Sequence, residues 1–419
     1  MRPENVRVNN MSPYLLISIA FIVLSCVLSF SFYPLFPTLD DPRVTKDFLS
    51  VMFALAITGV CILGKPRRFK VYPLLSLLIL YCVLRCFLGP AFRFPVVNTQ
   101  EDNIWQYRVV MYDLIFFSFF VAVSNLSWGI LKLRKFFTVI SWVGGLTAAY
   151  VFVQALGFDQ WLILKTTAEV QNTPSAGLTG TMTNVTFAAA FLVLTIPIMI
   201  ARRYWWAVVL AIGAVILCKS DMAYGALALS LLGYAAFKIK WTGRRKAIAF
   251  LLVLLTALWI SDHKIHVQDN GRFYIWKQIW TDVTVSPFEE NTNYFLTGYG
   301  LGAYKYLFTA QHTTQYINET TMQRAFEQAH NDPLEWFYNT GIIGFGLLIF
   351  IVFCLIKAVF PYTLTDERYL ALLITFISGL MLSCGTFLLQ IEPQRFLMVV
   401  VAAILYNRII KEEKQRWEK

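Results

Sequence analysis

The stretch Gln328-Ala329-His330-Asn331-Asp332-Pro333-Leu334-Glu335 immediately precedes a long apolar segment. Asp332 is suited to cap a helix, Pro333 to begin it, and Glu335 to complete a capping box three residues after the cap. The apolar segment is long enough to cross a bilayer. The pattern therefore predicts a membrane-spanning helix with His330 just outside its N-terminus, beside unpaired backbone N–H groups and the positive end of the helix dipole.

The composition is that of a membrane protein. Of the 419 residues, 57% are hydrophobic and 15% are charged, whereas a soluble protein carries about 25% charged residues. The net charge of +11 does not indicate nucleic-acid binding, because the basic residues lie in short loops between apolar segments. The seven cysteines lie within or at the ends of those segments, which argues against a disulfide framework. We therefore expect a membrane protein that binds lipids and no nucleic acid.

Twelve apolar segments follow one another along the chain, and each is a candidate membrane span. They lie at about 14–33, 48–63, 72–88, 109–126, 136–156, 184–201, 205–218, 222–237, 247–261, 334–360, 369–389 and 394–410. We therefore predict an all-α fold with about 12 transmembrane helices. Nine belong to residues 1–261 and three to residues 334–419, which end in a polar tail, and one long loop, residues 262–333, separates the two groups.

The basic residues predict the orientation of these spans. If the N-terminus is inside, the inner segments hold 23 of the 36 lysines and arginines. Short inner loops of membrane proteins carry such an excess, so both termini should lie in the cytoplasm and the loop 262–333 on the outer side. A loop of roughly seventy residues is too long to be only a connection.

Within this loop the pattern is mostly helical. Phe273, Trp276 and Trp280 share one face of a helix, which predicts a segment lying along the membrane interface. Residues 319–329 predict a second short helix, and the glycine-rich stretch 298–302 predicts a turn or a close backbone contact.

His330 is the candidate general base. An imidazole titrates near pH ~6.5, so it can accept a proton from a hydroxyl at neutral pH. All four histidines of the chain lie in the outer loop, but their spacing does not match a zinc pattern, and we predict no metal site. The alternative interpretation is a solvent-facing loop histidine at a helix start.

Charged residues near the outer ends of the spans are candidate ligands of an anionic substrate. Arg272 offers a planar guanidinium that fits phosphate oxygens. Arg85, Lys219 and Arg395 are ionisable groups at membrane depth, which are functional candidates by default. Asn184 ends a small polar stretch that could bind substrate hydroxyls. Snorkelling to lipid headgroups, structural ion pairs and helix capping are the alternative roles of these side chains.

These features resemble the O-antigen ligase and polymerase superfamily of bacterial envelope glycosyltransferases. In that family a large periplasmic loop begins with an arginine followed by a tryptophan, continues through a Gly-x-Gly turn, and ends in His-Asn-x-x-Leu before a helix with Gly-x-x-Gly. An earlier span begins with a glycine-rich, asparagine-containing stretch. The residues that resemble these features are Arg272 and Trp276; Gly298, Gly300 and Gly302; His330, Asn331, Leu334, Gly341 and Gly344; and Gly177, Gly180 and Asn184.

The resemblance covers roughly residues 175–350 and has one departure. Many members carry Ser-Arg-Gly at the short outer turn before the following span, where this chain has Lys219-Ser220-Asp221. Lys219 is the candidate replacement for the missing positive charge, and Asn331 joins the expected substrate-binding residues through the His-Asn motif.

The resemblance implies an enzyme of the bacterial inner membrane with its active site on the periplasmic side. The donor would be a glycan on undecaprenyl diphosphate, and the acceptor a sugar hydroxyl of lipid A–core in a ligase. His330 would act as base, Arg272 with Lys219 or Arg395 would hold the diphosphate, and the configuration of the sugar would invert. Neither a nucleotide sugar nor a metal or other cofactor would be needed, because the lipid diphosphate is already an activated leaving group.

Two alternatives remain open at this point. A repeat-unit polymerase of the same fold would use the same donor and a lipid-linked glycan as acceptor. A twelve-span transporter or flippase is the third interpretation, and the single long outer loop and the scarcity of charges deep in the spans argue against it.

The first testable prediction concerns topology. A reporter fused at residue 300 should lie outside the cytoplasm, because 23 of the 36 basic residues fall on the opposite side of the predicted spans. A fusion within residues 64–71 supplies the cytoplasmic reference. A cytoplasmic signal at residue 300 would overturn the predicted orientation.

Overall fold

The computed structural model describes residues 12–27, 42–64, 73–88, 100–158, 178, 182, 184–238, 272–285, 294–308, 311–312, 329–386, 388–391 and 393–417. These residues form an all-helical fold and contain no strand. The predicted fold class is confirmed in this respect. The predicted ninth span, the helix at 319–329, and His263 and His266 lie outside the described residues.

The α-helices are numbered in chain order. They are α1 Pro13–Ile22, α2 Pro42–Gly64, α3 Pro73–Leu88, α4 Gln100–Ser124, α5 Ile130–Ala155, α6 Val185–Arg202, α7 Trp205–Cys218, α8 Asp221–Lys238, α9 Arg272–Thr284, α10 Asp332–Thr363, α11 Glu367–Ser383 and α12 Gln394–Trp417. Every predicted apolar segment that falls in the described residues coincides with one of these helices. A π-helical turn, Tyr304–Phe308, lies between α9 and α10.

Three helices of the described part, α5, α6 and α10, are long and apolar enough to cross a membrane. Shorter apolar helices lie at 13–25, 49–62, 75–85, 111–124 and 205–218. The apolar window of α6 is 72% buried inside the protein, whereas that of α10 is only 17% buried. The helix α6 therefore lies at the centre of the bundle, and α10 presents apolar side chains such as Phe350 and Phe353 outward.

The main core forms around α6, which contacts α5, α7, α8 and α11. Small polar side chains join these helices inside the apolar core. The Thr375 hydroxyl donates to the Leu194 carbonyl at 3.1 Å, and the Ser230 and Ser378 hydroxyls lie 2.9 Å apart. Such pairs satisfy buried hydroxyls without charge, so the bundle keeps an uncharged centre.

The outer loop has a core of its own, which we call the loop core. It is built from Ile275, Ile279 and Val283 of α9, aromatic side chains of the segment 294–308, and the first turns of α10. The neighbouring face of α9, with Phe273, Trp276 and Trp280, is less buried, and Trp280 is 56% exposed. Its position at a membrane interface stays a prediction.

The predicted helix over 334–360 is present as α10, but it carries a break at Gly341. This residue has φ +64° and ψ −173°, a conformation outside the helical region. The backbone of 294–300 is inserted at the break. Ile342 donates its N–H to the Phe295 carbonyl at 2.8 Å, and Tyr299 donates to the Tyr338 carbonyl at 3.0 Å. Backbone groups that the break removes from the helix thus find partners in the loop.

Gly298 and Gly341 face each other in this contact, which we call the glycine junction. Both have positive φ, and a Cβ on Gly341 would lie 2.5 Å from the backbone nitrogen of Gly298. The helix α3 closes the junction from the side. Its Tyr81 hydroxyl donates to the Thr340 carbonyl at 2.6 Å, and its Arg85 guanidinium donates to the Gly298 carbonyl. Only glycine permits this approach, so the junction fixes the loop against the bundle.

Replacing Gly341 by alanine should destabilise the protein. Its backbone conformation alone costs roughly 1–3 kcal/mol for a non-glycine residue, and the added Cβ would also collide with the loop backbone. Gly346→Ala is the matched control, since nothing lies within 4 Å of the added Cβ and alanine favours a helix. Thermal unfolding of the purified variants checks this. Equal unfolding midpoints for the two variants would contradict the role of the junction.

Candidate functional site

The candidate site is centred on His330, which lies directly before α10 in a left-handed conformation with φ +51°. The preceding peptide is held from both sides. The indole Nε1 of Trp276 donates to the Ala329 carbonyl at 2.9 Å, and the Glu335 carboxylate accepts the Ala329 N–H at 3.2 Å. Histidine rarely adopts this backbone conformation, so these two contacts help to fix the direction of the imidazole.

The cap of α10 is Asn331, so the prediction that Asp332 caps the helix is wrong. The Asn331 Oδ1 accepts the Leu334 N–H at 3.0 Å, and its backbone is extended. The left-handed turn at His330 shifts the helix start by one residue and places Asp332 inside the first turn. The Asn331 oxygen is therefore used for capping, which leaves its amide nitrogen for other partners. Its predicted contact with substrate stays a prediction.

Arg272 is close enough to act electrostatically on His330, although the two lie 58 positions apart in the chain. Arg272 is the first residue of α9, and Trp276, one turn later, joins that helix to the peptide before His330. Burial and the positive charge of Arg272 lower the pKa of His330 from 6.5 to about 4. Burial is the larger of these two causes. The imidazole is neutral at pH 7 and can accept a proton.

Arg395 is connected to the same end of α10 through Leu389. The guanidinium of Arg395 donates to the Leu389 carbonyl, and the Leu389 N–H donates to the Asp332 carboxylate at 2.9 Å. Arg395 also lies over the Phe116 ring at 5.0 Å. These contacts bring a second cation into the neighbourhood of the His330 turn. Its contact with substrate stays a prediction.

The other predicted residues have structural contacts of their own. Arg85 holds the glycine junction, as described above. Asn184 caps α6, where its side chain accepts the Thr186 N–H at 2.8 Å. Lys219 follows the last residue of α7 in a left-handed conformation, and its side chain is exposed. The place of Lys219 in the site stays a prediction.

Sequence reasoning missed a buried pair of ionisable groups in the loop core. The His312 Nε2 lies 2.7 Å from a carboxylate oxygen of Asp282, and both side chains are more than nine-tenths buried. Burial raises the pKa of Asp282, and its hydrogen bond with His312 opposes this shift. Thirty residues separate the two in the chain, and no sequence pattern connects them. The pair joins α9 to the segment after the π-helical turn, and so supports the helix that carries Arg272.

The two described histidines have different partners. His312 is buried with Asp282, whereas His330 lies at the start of α10, where the charge of Arg272 acts on it. Within the part of the chain that the structure describes, no group of three or more His, Cys, Asp or Glu side chains is placed to hold a metal ion.

The arrangement combines a neutral imidazole with a guanidinium that acts on it electrostatically, next to the start of α10. A guanidinium binds phosphate oxygens in a bidentate manner, and a neutral imidazole accepts a proton from a hydroxyl. The pair is therefore suited to a reaction in which a hydroxyl attacks a substrate that carries a phosphate or diphosphate group.

Comparisons with known proteins return no relative. No family model matches the chain, and neither a curated protein nor a solved structure matches it.

Proposed function

We propose that the protein is a membrane-embedded glycosyltransferase of the O-antigen ligase type. It transfers a glycan from undecaprenyl diphosphate to a sugar hydroxyl of lipid A–core at the periplasmic face of the bacterial inner membrane. The observation that carries this proposal is the convergence of Arg272 with His330 at the start of α10. The order of motifs around these residues, which resembles that superfamily, supports it.

The membrane arrangement is part of the proposal. We infer about twelve spans, with both termini in the cytoplasm and the loop 262–333 in the periplasm. Three long apolar helices and several shorter ones support it, as do the exposed apolar side chains of α10. Large apolar surfaces of this kind are unfavourable in water and favourable against lipid chains.

The proposed reaction begins with the donor diphosphate held by Arg272. The acceptor hydroxyl gives its proton to the neutral His330 imidazole as its oxygen attacks the anomeric carbon. The bond between that carbon and the diphosphate oxygen breaks, and the electron pair leaves with the lipid diphosphate. Arg272 stabilises the charge that develops on the leaving group. A single displacement of this kind inverts the configuration of the sugar.

Donor binding should also strengthen the base. The positive charge of Arg272 is one of the two causes that lower the pKa of His330. An anionic diphosphate against Arg272 offsets this charge, so the pKa of His330 rises when the donor is bound. The imidazole would then be a weak base in the free enzyme and a stronger one in the complex, where the proton is transferred.

Replacing His330 by asparagine should abolish transfer while donor binding remains. Asparagine tolerates the left-handed conformation at this position better than alanine, so the fold is preserved. Loss of a general base lowers the rate by about 100- to 10,000-fold. Transfer is measured with purified protein, lipid-linked donor and lipid A–core, and donor binding is measured separately.

Lys277→Gln is the control, because Lys277 is exposed on α9 and lies on the same loop. It should transfer at the wild-type rate. The pH profile of the wild-type protein adds a second readout. Transfer should fall only as the pH approaches about 4, where His330 becomes protonated. Transfer by His330→Asn at close to the wild-type rate would exclude the role as base. Transfer to a lipid-linked glycan but not to lipid A–core would identify a polymerase instead.

A further inference from the structure

A second charged site lies at the opposite end of the bundle from His330. His330 precedes α10, whereas Glu367 follows the end of that helix. The part of α10 that follows its break at Gly341, residues 342–363, would alone span roughly 33 Å at a rise of about 1.5 Å per residue. A cavity of about 440 Å³ opens there between α6, α7, α8 and α11. It is lined by Ile200, Arg203, Trp205, Tyr234, Lys238 and Glu367.

The charges of this cavity do not balance. The Glu367 carboxylate lies 2.7 Å from the Lys238 ammonium and accepts a hydrogen bond from the Tyr234 hydroxyl. Arg203 is close enough to act electrostatically on Glu367, but within the described residues it forms no ion pair or hydrogen bond with it. One carboxylate therefore faces two cations, and Lys238 is the cation that is paired. Among the described residues, Arg203 is thus the cation of this cavity that an anion from outside the chain could meet.

The surroundings of the cavity are those of a membrane interface. Trp205, Trp206 and Trp142 are 58%, 42% and 49% exposed, and the rings of Trp142 and Trp206 lie 5.2 Å apart. Exposed tryptophans are enriched where lipid headgroups meet the apolar membrane core. Val209 and Ile216 continue the exposed side of α7 beyond Trp205. A phosphate at Arg203 would thus have an apolar helix face directly beside it.

We propose that this cavity binds the headgroup of an anionic phospholipid, with its phosphate at Arg203 and one acyl chain along the exposed face of α7. The excess positive charge selects an anionic headgroup, because a zwitterionic one brings its own ammonium group. Basic pockets between helices at the cytoplasmic side of membrane proteins bind anionic headgroups in this way. The inference depends on the membrane arrangement proposed above but not on glycan transfer.

Native mass spectrometry of the purified full-length protein tests this with dioleoyl phosphatidylglycerol and dioleoyl phosphatidylcholine. The wild type should bind the anionic lipid more tightly than the zwitterionic one. Arg203→Gln should weaken binding of phosphatidylglycerol by about tenfold, since it removes a charge-assisted hydrogen bond. Glu367→Gln should strengthen it by a few fold, because a competing carboxylate is lost. Unfolding midpoints in lipid-free detergent show that each variant is folded.

Arg134→Gln is the matched control. Arg134 lies at the same end of the bundle, near the start of α5, and is exposed outside the cavity. It should change the affinity by less than about twofold. Equal losses in Arg134→Gln and Arg203→Gln would show a general surface charge effect and would overturn the proposal. Equal affinity for the two lipids would also overturn the proposal. Binding of inorganic phosphate as tight as that of phosphatidylglycerol would do the same. Binding is measured without donor or acceptor, so the outcome is separate from that of the transfer assay.

Discussion

The backbone contact between Gly298 and Gly341 is the constraint on which the outer end of the molecule depends. Two backbone segments of the chain approach here more closely than a residue with a Cβ permits. The helix α10 is broken at the same point. The freed backbone groups pair with the loop, and α3 covers the contact with Tyr81 and Arg85. The loop core is thereby fixed to α10, the helix that His330 precedes. A substitution at the junction should therefore alter the position of the site residues, although it contacts none of them.

The junction also explains how two residues distant in sequence come to act on each other. The loop core holds α9 against the first turns of α10. The His312–Asp282 pair joins α9 to the segment after the π-helical turn, and Trp276 of α9 donates a hydrogen bond to the Ala329 carbonyl. Arg272 then lies near a half-buried imidazole. Burial makes the charge of Arg272 act more strongly on the imidazole than it would in water, because less solvent screens that charge. Burial and this charge together keep the imidazole neutral, and the charge is also the one that a diphosphate would bind. Binding of the donor and strengthening of the base would thus follow from one interaction.

Much of the fold follows from the sequence, since long apolar segments have few alternatives to helices. The helical segment that begins at Arg272 and the turn at Gly298 were predictable from spacing and glycine content. The break at Gly341 was not, because the apolar pattern continues through it and only the partner loop shows why the helix stops. The cap was misplaced by one residue for a similar reason, since the left-handed conformation of His330 depends on contacts to Trp276 and Glu335. The buried His312–Asp282 pair carries no local signal, and neither does the contact of the Arg85 guanidinium with the Gly298 carbonyl.

The central claim is that Arg272 lies near His330 and adds to the effect of burial in lowering its pKa. The most direct measurement is an NMR titration of labelled histidine in the purified protein, with His330 assigned by the His330→Asn variant. We expect a pKa of about 4 in the wild type. In Arg272→Gln the pKa should rise, but it should stay below 6.5, because burial still acts. Lys277→Gln, on the same helix, should leave it unchanged. An identical pKa of His330 in the wild type and in Arg272→Gln, or a wild-type value near 6.5, would contradict the account.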